Sequence, residues 1–514
     1  MGHAVVRRVA DPCGHPHLPV DGRPGLFAVG RQRHDRAHGA QLGKAVSAVD
    51  NGTSDDQVET GAPADAALPA KVAPGARLDT LHHLLGPVGG LKRQLALGMS
   101  GVFALSLMSK VLMLGVSIVL ARLMGPARYG VYAAAVALIT LIGLPASLGL
   151  PNLIVRQVAA YRVHAQWGLA KGLLVRANQA VLVVTVLLGL LLLVLQVLRV
   201  FPASYSAPLA WLTFALLPIT LFGALRMAAL RGLHHVVLGL MPETLVMPLV
   251  FLLGIWVVHL TSGAFTAELA VGLRLLAYTA AFLVGALILL VRLPAALRVA
   301  QQEHRMREWA ATAGPLLWVG AMTVITTQTD VIMLAAFKGP AAAGIYQVAA
   351  RGAELVAFVS AISNIALQPT FARLYAAGDL ARLERVARRA AQIMLAAATL
   401  AAAIFVGAGF DILKAVFGSA YQAGALPLAI LSVGWVLVTV TGPARDTLIM
   451  SGGQNAAAVS IGIGAMLNVI LNFWLIPTYS INGAAIATSI SLVACQIGYT
   501  IGVRRRLGFW VKPI

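Results

Sequence analysis

The sequence predicts an all-α polytopic membrane protein, with twelve transmembrane helices arranged as two parallel-repeat six-helix bundles around a central cavity. Three observations point there. Mean hydropathy is +0.82, with only 11% of the 514 residues charged. Twelve apolar runs each approach the roughly 20 residues a helix needs to cross hydrocarbon. A turn motif occurs twice, 214 residues apart, with six runs between the copies.

A soluble domain carries about 25% charged residues, so lipid must be the solvent for most of this chain. Backbone groups in lipid must bond within their own segment, which makes the runs helices. The net charge of +20 does not indicate nucleic acid, because Lys and Arg fall between the apolar runs rather than on a basic soluble domain.

Residues 1–90 form a polar extension that holds nine of the nineteen acidic residues and no spanning run. It cannot bury enough apolar surface to offset the entropy of ordering, so it reads as disordered. A start site nearer Leu84 is the alternative reading of this stretch. Cys13-x-His15-x-His17 lacks a fourth ligand and carries no metal assignment; with Cys495 far away in a span, no disulfide framework is expected.

The spans follow in order: Gly98–Arg122, Val131–Leu150, Asn178–Leu198, Pro208–Leu230, Gly239–Leu260, Glu268–Val291, Gly314–Phe337, Ala341–Ala366, Ala390–Gly409, Gly424–Leu448, Ala456–Ile476 and Asn482–Val503. Residues 98–291 make the N-terminal bundle, 292–313 a cytoplasmic linker, 314–503 the C-terminal bundle and 504–514 a basic cytoplasmic tail. With the N-terminus inside, twenty-two basic residues fall on cytoplasmic connections, Arg226 among them, and five on the other side, so both termini are expected in the cytoplasm. Leu380, Leu383 and Val386, interleaved with Arg382, Arg385, Arg388 and Arg389, read as a basic amphipathic helix on the inner leaflet, with a solvated loop as the alternative; Arg298–Trp309 is read the same way. Pro145, Pro218 and Pro248 are hinges or static kinks.

The repeat is Leu120-Ala-Arg-Leu-Met-Gly125-Pro126-Ala-Arg-Tyr-Gly130-Val-Tyr132 against Leu334-Ala-Ala-Phe-Lys-Gly339-Pro340-Ala-Ala-Ala-Gly344-Ile-Tyr346. Gly-Pro ends one helix, and the second Gly lets the next begin close to a neighbour. An even number of intervening spans keeps both copies in one orientation, which relates the halves by an axis along the membrane normal.

Charge inside a span costs about 2.5–3.5 kcal/mol on insertion scales and needs a partner or a wet cavity. Lys110, Arg274 and Arg351 are the candidate substrate-binding cations: Arg donates in a bidentate fork and Lys acts as a point charge. Their structural alternatives are pairing of Arg351 with Glu354 on one helical face and snorkelling of Arg274. Asp330, Glu354 and Glu243 are candidates for ion coupling, since burial links a carboxylate's protonation to conformation. A fixed salt bridge to Arg351 is the rival for Asp330 and Glu354, and a gating or wet-interface role the rival for Glu243. No nucleophile-base pair or metal cluster emerges, so no catalytic residue and no cofactor is assigned; coupling to a proton or sodium gradient stays open.

Leu120–Tyr132 resembles the corresponding stretch of bacterial polysaccharide flippases, the oligosaccharide-translocase branch of the MATE-like superfamily. Leu230-Arg231-Gly232-Leu233-His234, Gln328-Thr329-Asp330, Gln368–Leu374, Phe417-Gly418, Ile476-Pro477 and Asn482–Ala485 match in order, and together the resemblance covers about residues 95–510. It implies transport, not an enzyme: an undecaprenyl-pyrophosphate-linked oligosaccharide moved between leaflets of the bacterial inner membrane, for surface or exopolysaccharide synthesis. It also implies membrane lipids, a polysaccharide polymerase and export machinery as partners, and no nucleic acid. A multidrug or ion-coupled exporter of the same superfamily and a peptidoglycan-precursor flippase are the alternatives.

Overall fold

The computed structural model describes residues 88–198, 206–261 and 265–511, and every regular element among them is helical. The extension with its Cys-His-His motif lies outside these residues, up to its last few positions. In chain order the helices are α1 (Val88–Ala146), α2 (Leu150–Val163), α3 (Trp167–Val197), α4 (Ala207–Gly232), α5 (Val236–Met241), α6 (Met247–Thr261), α7 (Ala267–Arg292), α8 (Ala295–Val299), α9 (Met306–Lys338), α10 (Pro340–Ala376), α11 (Leu380–Phe417), α12 (Ala425–Thr439), α13 (Ala444–Met450) and α14 (Gln454–Leu507). A π-helical turn, Pro242–Val246, joins α5 to α6.

Nine stretches among the described residues are long and apolar enough to cross a bilayer. Two of them, in α1 and α14, run 46 and 54 residues, well over the roughly 30 Å of hydrocarbon at about 1.5 Å per residue. Each breaks once, α1 at Gly125 and α14 at Ser480, and so supplies two spans. The reading of twelve also needs α10, which is 37 residues long but carries Arg351, Glu354 and Arg373 and is not among the nine.

Several boundaries differ from the sequence reading. The second run breaks at Ser147–Gly149, where Leu148 and Gly149 take positive φ, and resumes as α2. The tenth stops at Thr439, turns through Gly442 and resumes as α13. The basic amphipathic stretch after α10 is not a separate surface helix. It forms the first turns of α11, capped by Asp379, whose Oδ1 accepts from Arg382 N at 2.9 Å. Leu383 and Ala387 bury against Phe371 and Leu448, leaving Arg382, Arg385, Arg388 and Arg389 outward. Nor does Arg298–Trp309 form one amphipathic helix. Only Ala295–Val299 is helical before α9, and the chain that follows is tied to α3 by Lys171 Nζ donating to Arg298 O and Ala300 O and by Glu303 N donating to Gly168 O.

The repeat is visible in the backbone. Gly125 (φ 70°, ψ 172°) and Gly339 (φ 85°, ψ 169°) share a conformation that only glycine adopts readily. The second glycines, Gly130 and Gly344, then face one another. A Cβ on Gly130 would land on Pro340 O, 2.9 Å from Gly344 N; one on Gly344 would land on Pro126 O, 3.0 Å from Gly130 N. The two copies thus clasp reciprocally, as a two-fold relation requires.

This clasp marks one end of the bundle, the Gly125 end. A single apolar core spans both halves there, from Leu120, Tyr129 and Phe251 to Tyr346, Phe417 and Tyr421. Toward the opposite, basic end the core divides. One part lies around Leu153, Tyr161, Leu173 and Trp309 and the other around Phe371, Leu448 and Tyr499. Dispersion and apolar burial therefore hold the halves together chiefly at the Gly125 end.

Candidate functional site: a cation-lined cavity between the halves

Where the shared core ends, the halves enclose a cavity of about 240 Å3 lined by α1, α7, α9 and α10. Lys110, Arg274, Arg351 and Glu354 all lie in its wall. Four of the six site candidates are therefore brought together, from three helices far apart in sequence. Gln328 and Gln347 add neutral polar groups, and Ser117, Tyr129 and Tyr132 line the side nearer the clasp.

The three cations are not equivalent. Arg351 Nη1 donates to Glu354 Oε1 at 2.9 Å and Oε2 at 3.1 Å, and the Gln347 carbonyl, oriented toward the guanidinium, accepts from its Nε at 3.1 Å. Lys110 Nζ lies 3.7 Å from Glu354 Oε2. One carboxylate thus serves two cations. Arg274 has no carboxylate partner among the described residues. Its Nη1 donates to Tyr132 OH at 2.7 Å, its Nη2 reaches Tyr278 OH at 3.5 Å, and its guanidinium lies 5.9 Å and 5.4 Å from the two ring centroids. Aromatic faces and hydroxyls orient a guanidinium without neutralising it. Lys110 stood out in the sequence for its mid-span depth, whereas the geometry leaves Arg274 as the free positive charge. Arg274 also lines a second cavity of about 330 Å3 that extends toward the basic end past Asn152, Thr220 and Leu317, so it stands at the junction of the two.

The remaining two candidates lie elsewhere. Asp330 is buried within the C-terminal half, away from this lining. Tyr346 OH donates to Oδ2 at 2.7 Å, Asn472 Nδ2 donates to Oδ1 at 2.7 Å, and Thr488 Oγ1 also donates to Oδ2. Asn468 Oδ1 accepts from Asn472 at 3.1 Å, which extends the network along α14. Arg351 is therefore not its partner, and the donors that satisfy the carboxylate are all neutral. Glu243 sits in the π turn and pairs with Arg226 of α4. Arg226 is buried, not a loop charge, because α4 carries it inside the bundle. Its guanidinium lies over Gly285, where any Cβ would overlap it, and 6.0 Å from the Phe282 ring.

Sequence reasoning missed the Tyr132 and Tyr278 clamp and the Asn468, Asn472 and Thr488 donors. Asn468 and Asn472 at i, i+4 in an apolar span were a usable signal, since two buried amides on one face imply a polar partner. The tyrosine clamp needed knowledge of which helices adjoin.

At the Gly125 end the cavity is closed by more than the clasp. Arg122 Nε donates to Val416 O at 2.7 Å, and its Nη2 donates to Ala415 O, capping the last turn of α11. Tyr421 OH donates to Ala121 O at 2.9 Å and sets its ring edge-on to Tyr129.

Comparison with known proteins places this arrangement. An inward-facing multidrug-resistance MATE family transporter of the MOP superfamily superposes with a TM-score of 0.62 at 15% identity, over 78% of this chain and 94% of the other. The lipid II flippase MurJ, in an inward closed conformation, gives 0.60 at 13% identity over 78% and 87%. The D35N mutant of the Vibrio cholerae MATE transporter VcmN gives 0.53 at 14% over 79% and 97%. At these identities the likeness is one of fold. No match was found among curated proteins. A family model described as polysaccharide biosynthesis protein matches residues 98–375, more than half of the chain. The chain therefore belongs to the polysaccharide biosynthesis protein family, and its fold is like that of these transporters.

Proposed function

We propose that the protein is a flippase that moves an undecaprenyl-pyrophosphate-linked oligosaccharide across the bacterial inner membrane by alternating access, for surface or exopolysaccharide synthesis. The observation that carries this reading is the convergence of Lys110, Arg274 and Arg351, from both halves, on one cavity inside the bundle. A pyrophosphate diester cannot cross hydrocarbon bare; donors in a hydrated cavity replace part of its water. Arg274, clamped by neutral groups, is the primary anchor, and the cationic lining disfavours export of cationic drugs.

In this reading residues 98–291 and 314–503 rock against each other, 292–313 connects them, 1–90 and 504–514 stay in the cytoplasm, and the Gly125 end faces the periplasm. The neutral donor cage around Asp330 supports a coupling role there, in which a proton or sodium ion offsets the carboxylate. Glu243, already bound to Arg226, serves to brace the N-terminal half. A polysaccharide polymerase and export machinery would receive the product.

The test is a leaflet-resolved assay of lipid-linked glycan in a deletion strain. Wild type should clear inner-leaflet glycan, and Arg274→Ala should leave it there at normal protein levels. Full complementation by Arg274→Ala combined with Lys110→Ala and Arg351→Ala would defeat the cationic-site assignment.

A further inference from the structure

Resting on that reading, we infer that Glu354 is a built-in stand-in for the substrate's anionic head group: it neutralises Lys110 and Arg351 in the empty cavity and yields both to the incoming anion. Lys110 belongs to α1 of the N-terminal half, whereas Arg351 and Glu354 belong to α10 of the C-terminal half. The Lys110–Glu354 contact at 3.7 Å is the ion pair between the halves among the described residues. It sits in the cavity wall, where a ligand would lie. The Glu354 side chain is 41% exposed and that of Lys110 60%, so neither is locked in place by packing.

Electrostatics favours the exchange. Three cations left bare in a low-dielectric cavity would repel one another, and a resident carboxylate relieves this when the cavity is empty. With Glu354 in place the lining carries two net positive charges, matching a head group with two negative charges, as a pyrophosphate diester has. Such a ligand has oxygens enough to engage Arg274 and to replace the Glu354 oxygens on Arg351 and Lys110, in the bidentate manner guanidinium favours. The exchange releases the carboxylate from α1 and so breaks the ionic link between the halves as the ligand binds. Head-group recognition and loosening of the halves become one event.

The full-length protein in detergent at pH 7.5 and low salt, titrated calorimetrically with inorganic pyrophosphate, tests this. Glu354→Gln removes the competitor but keeps the shape, and should bind pyrophosphate about tenfold tighter than wild type, a coupling of ordinary size. Adding Lys110→Gln should remove part of that gain. If Glu354→Gln cannot be recovered folded, Glu354→Asp, too short to hold both cations, should show a smaller gain of the same sign. Equal or weaker binding by the Glu354 variants, while wild type binds and Arg274→Ala does not, would overturn the stand-in role and leave the anchor intact. No pyrophosphate binding by wild type or by any Glu354 variant would overturn the cationic-site reading together with the stand-in role.

Discussion

Replacing Gly130 by alanine is expected to force the Gly125 end apart. The new Cβ would land on Pro340 O and lie 2.6 Å from the Pro340 carbonyl carbon. Carbon atoms prefer about 3.5–4.0 Å, so α10 must retreat by about 1 Å. Every atom met is backbone, which leaves no side chain to swing away. Overpacking of this kind costs about 1–3 kcal/mol, and it penalises only the state in which the clasp is closed. A bias of about 2 kcal/mol shifts a two-state equilibrium about 30-fold toward opening at that end. Ser117 reports on it, being buried with its hydroxyl 2.7 Å from Tyr129 OH. In a background with Cys13 and Cys495 changed to serine, Ser117→Cys should react with a membrane-impermeant maleimide added to intact cells far faster when Gly130→Ala is present. Unchanged labelling in a variant that keeps the parent's yield and thermal midpoint would refute the view that the clasp seals the cavity.

Two further outcomes concern the N-terminal half. Arg226→Met leaves the Glu243 carboxyl partly buried without its partner, at a cost of up to about 3–5 kcal/mol, while Arg226→Met with Glu243→Leu should recover much of the loss; thermal denaturation followed by size-exclusion chromatography measures both, and an equal loss in the double variant would rule out the ion pair as the cause. His235, in the turn between α4 and α5, has its pKa held below the ordinary 6.5 by partial burial and by Arg292, Arg162 and His234 nearby. The folded state therefore resists protonation, so its contribution is present above about pH 6.5 and fades as pH falls through the lowered folded value. Between pH 7.5 and 5.5 the thermal midpoint of wild type should fall further than that of His235→Gln, and parallel curves would count against this residue.

Hydropathy made the helices legible because a span is a local property: its length and apolarity sit in consecutive residues. The repeat was legible for the same reason, since Gly-Pro-x-x-x-Gly is a turn written in six positions. Its reciprocal clasp was not, because which helices touch is decided by assembly. The cavity cations followed the same rule. Lys110, Arg274 and Arg351 could be picked out as charges in apolar runs, and they do share one cavity. Their pairing could be read only in part. The Arg351–Glu354 contact is a local i, i+3 matter and was visible in sequence. The claim of Lys110 on the same carboxylate and the tyrosine clamp on Arg274 depend on helix neighbours. Arg226 shows the opposite error: two turns from the end of a helix, it scored as a loop charge by position, yet it is buried and matched with Glu243. A charge count by segment cannot separate a residue facing headgroups from one facing a partner.

The segment joining the halves has a mechanical consequence. Lys171, Gly168 and Glu303 moor it to α3, and Trp309 continues the mooring by donating to Tyr161 OH at 2.9 Å from a site that is 4% exposed. Ala313, one turn further, is buried in the same N-terminal core. The opening turns of α9 are therefore cargo of the half they do not belong to by sequence. The same mooring runs on past Pro315, since Leu316 packs on that core and Leu317 lies against Gly149. In the proposed rocking motion, any swing of one half against the other is taken up by flexure within this helix rather than by slack in the segment before it.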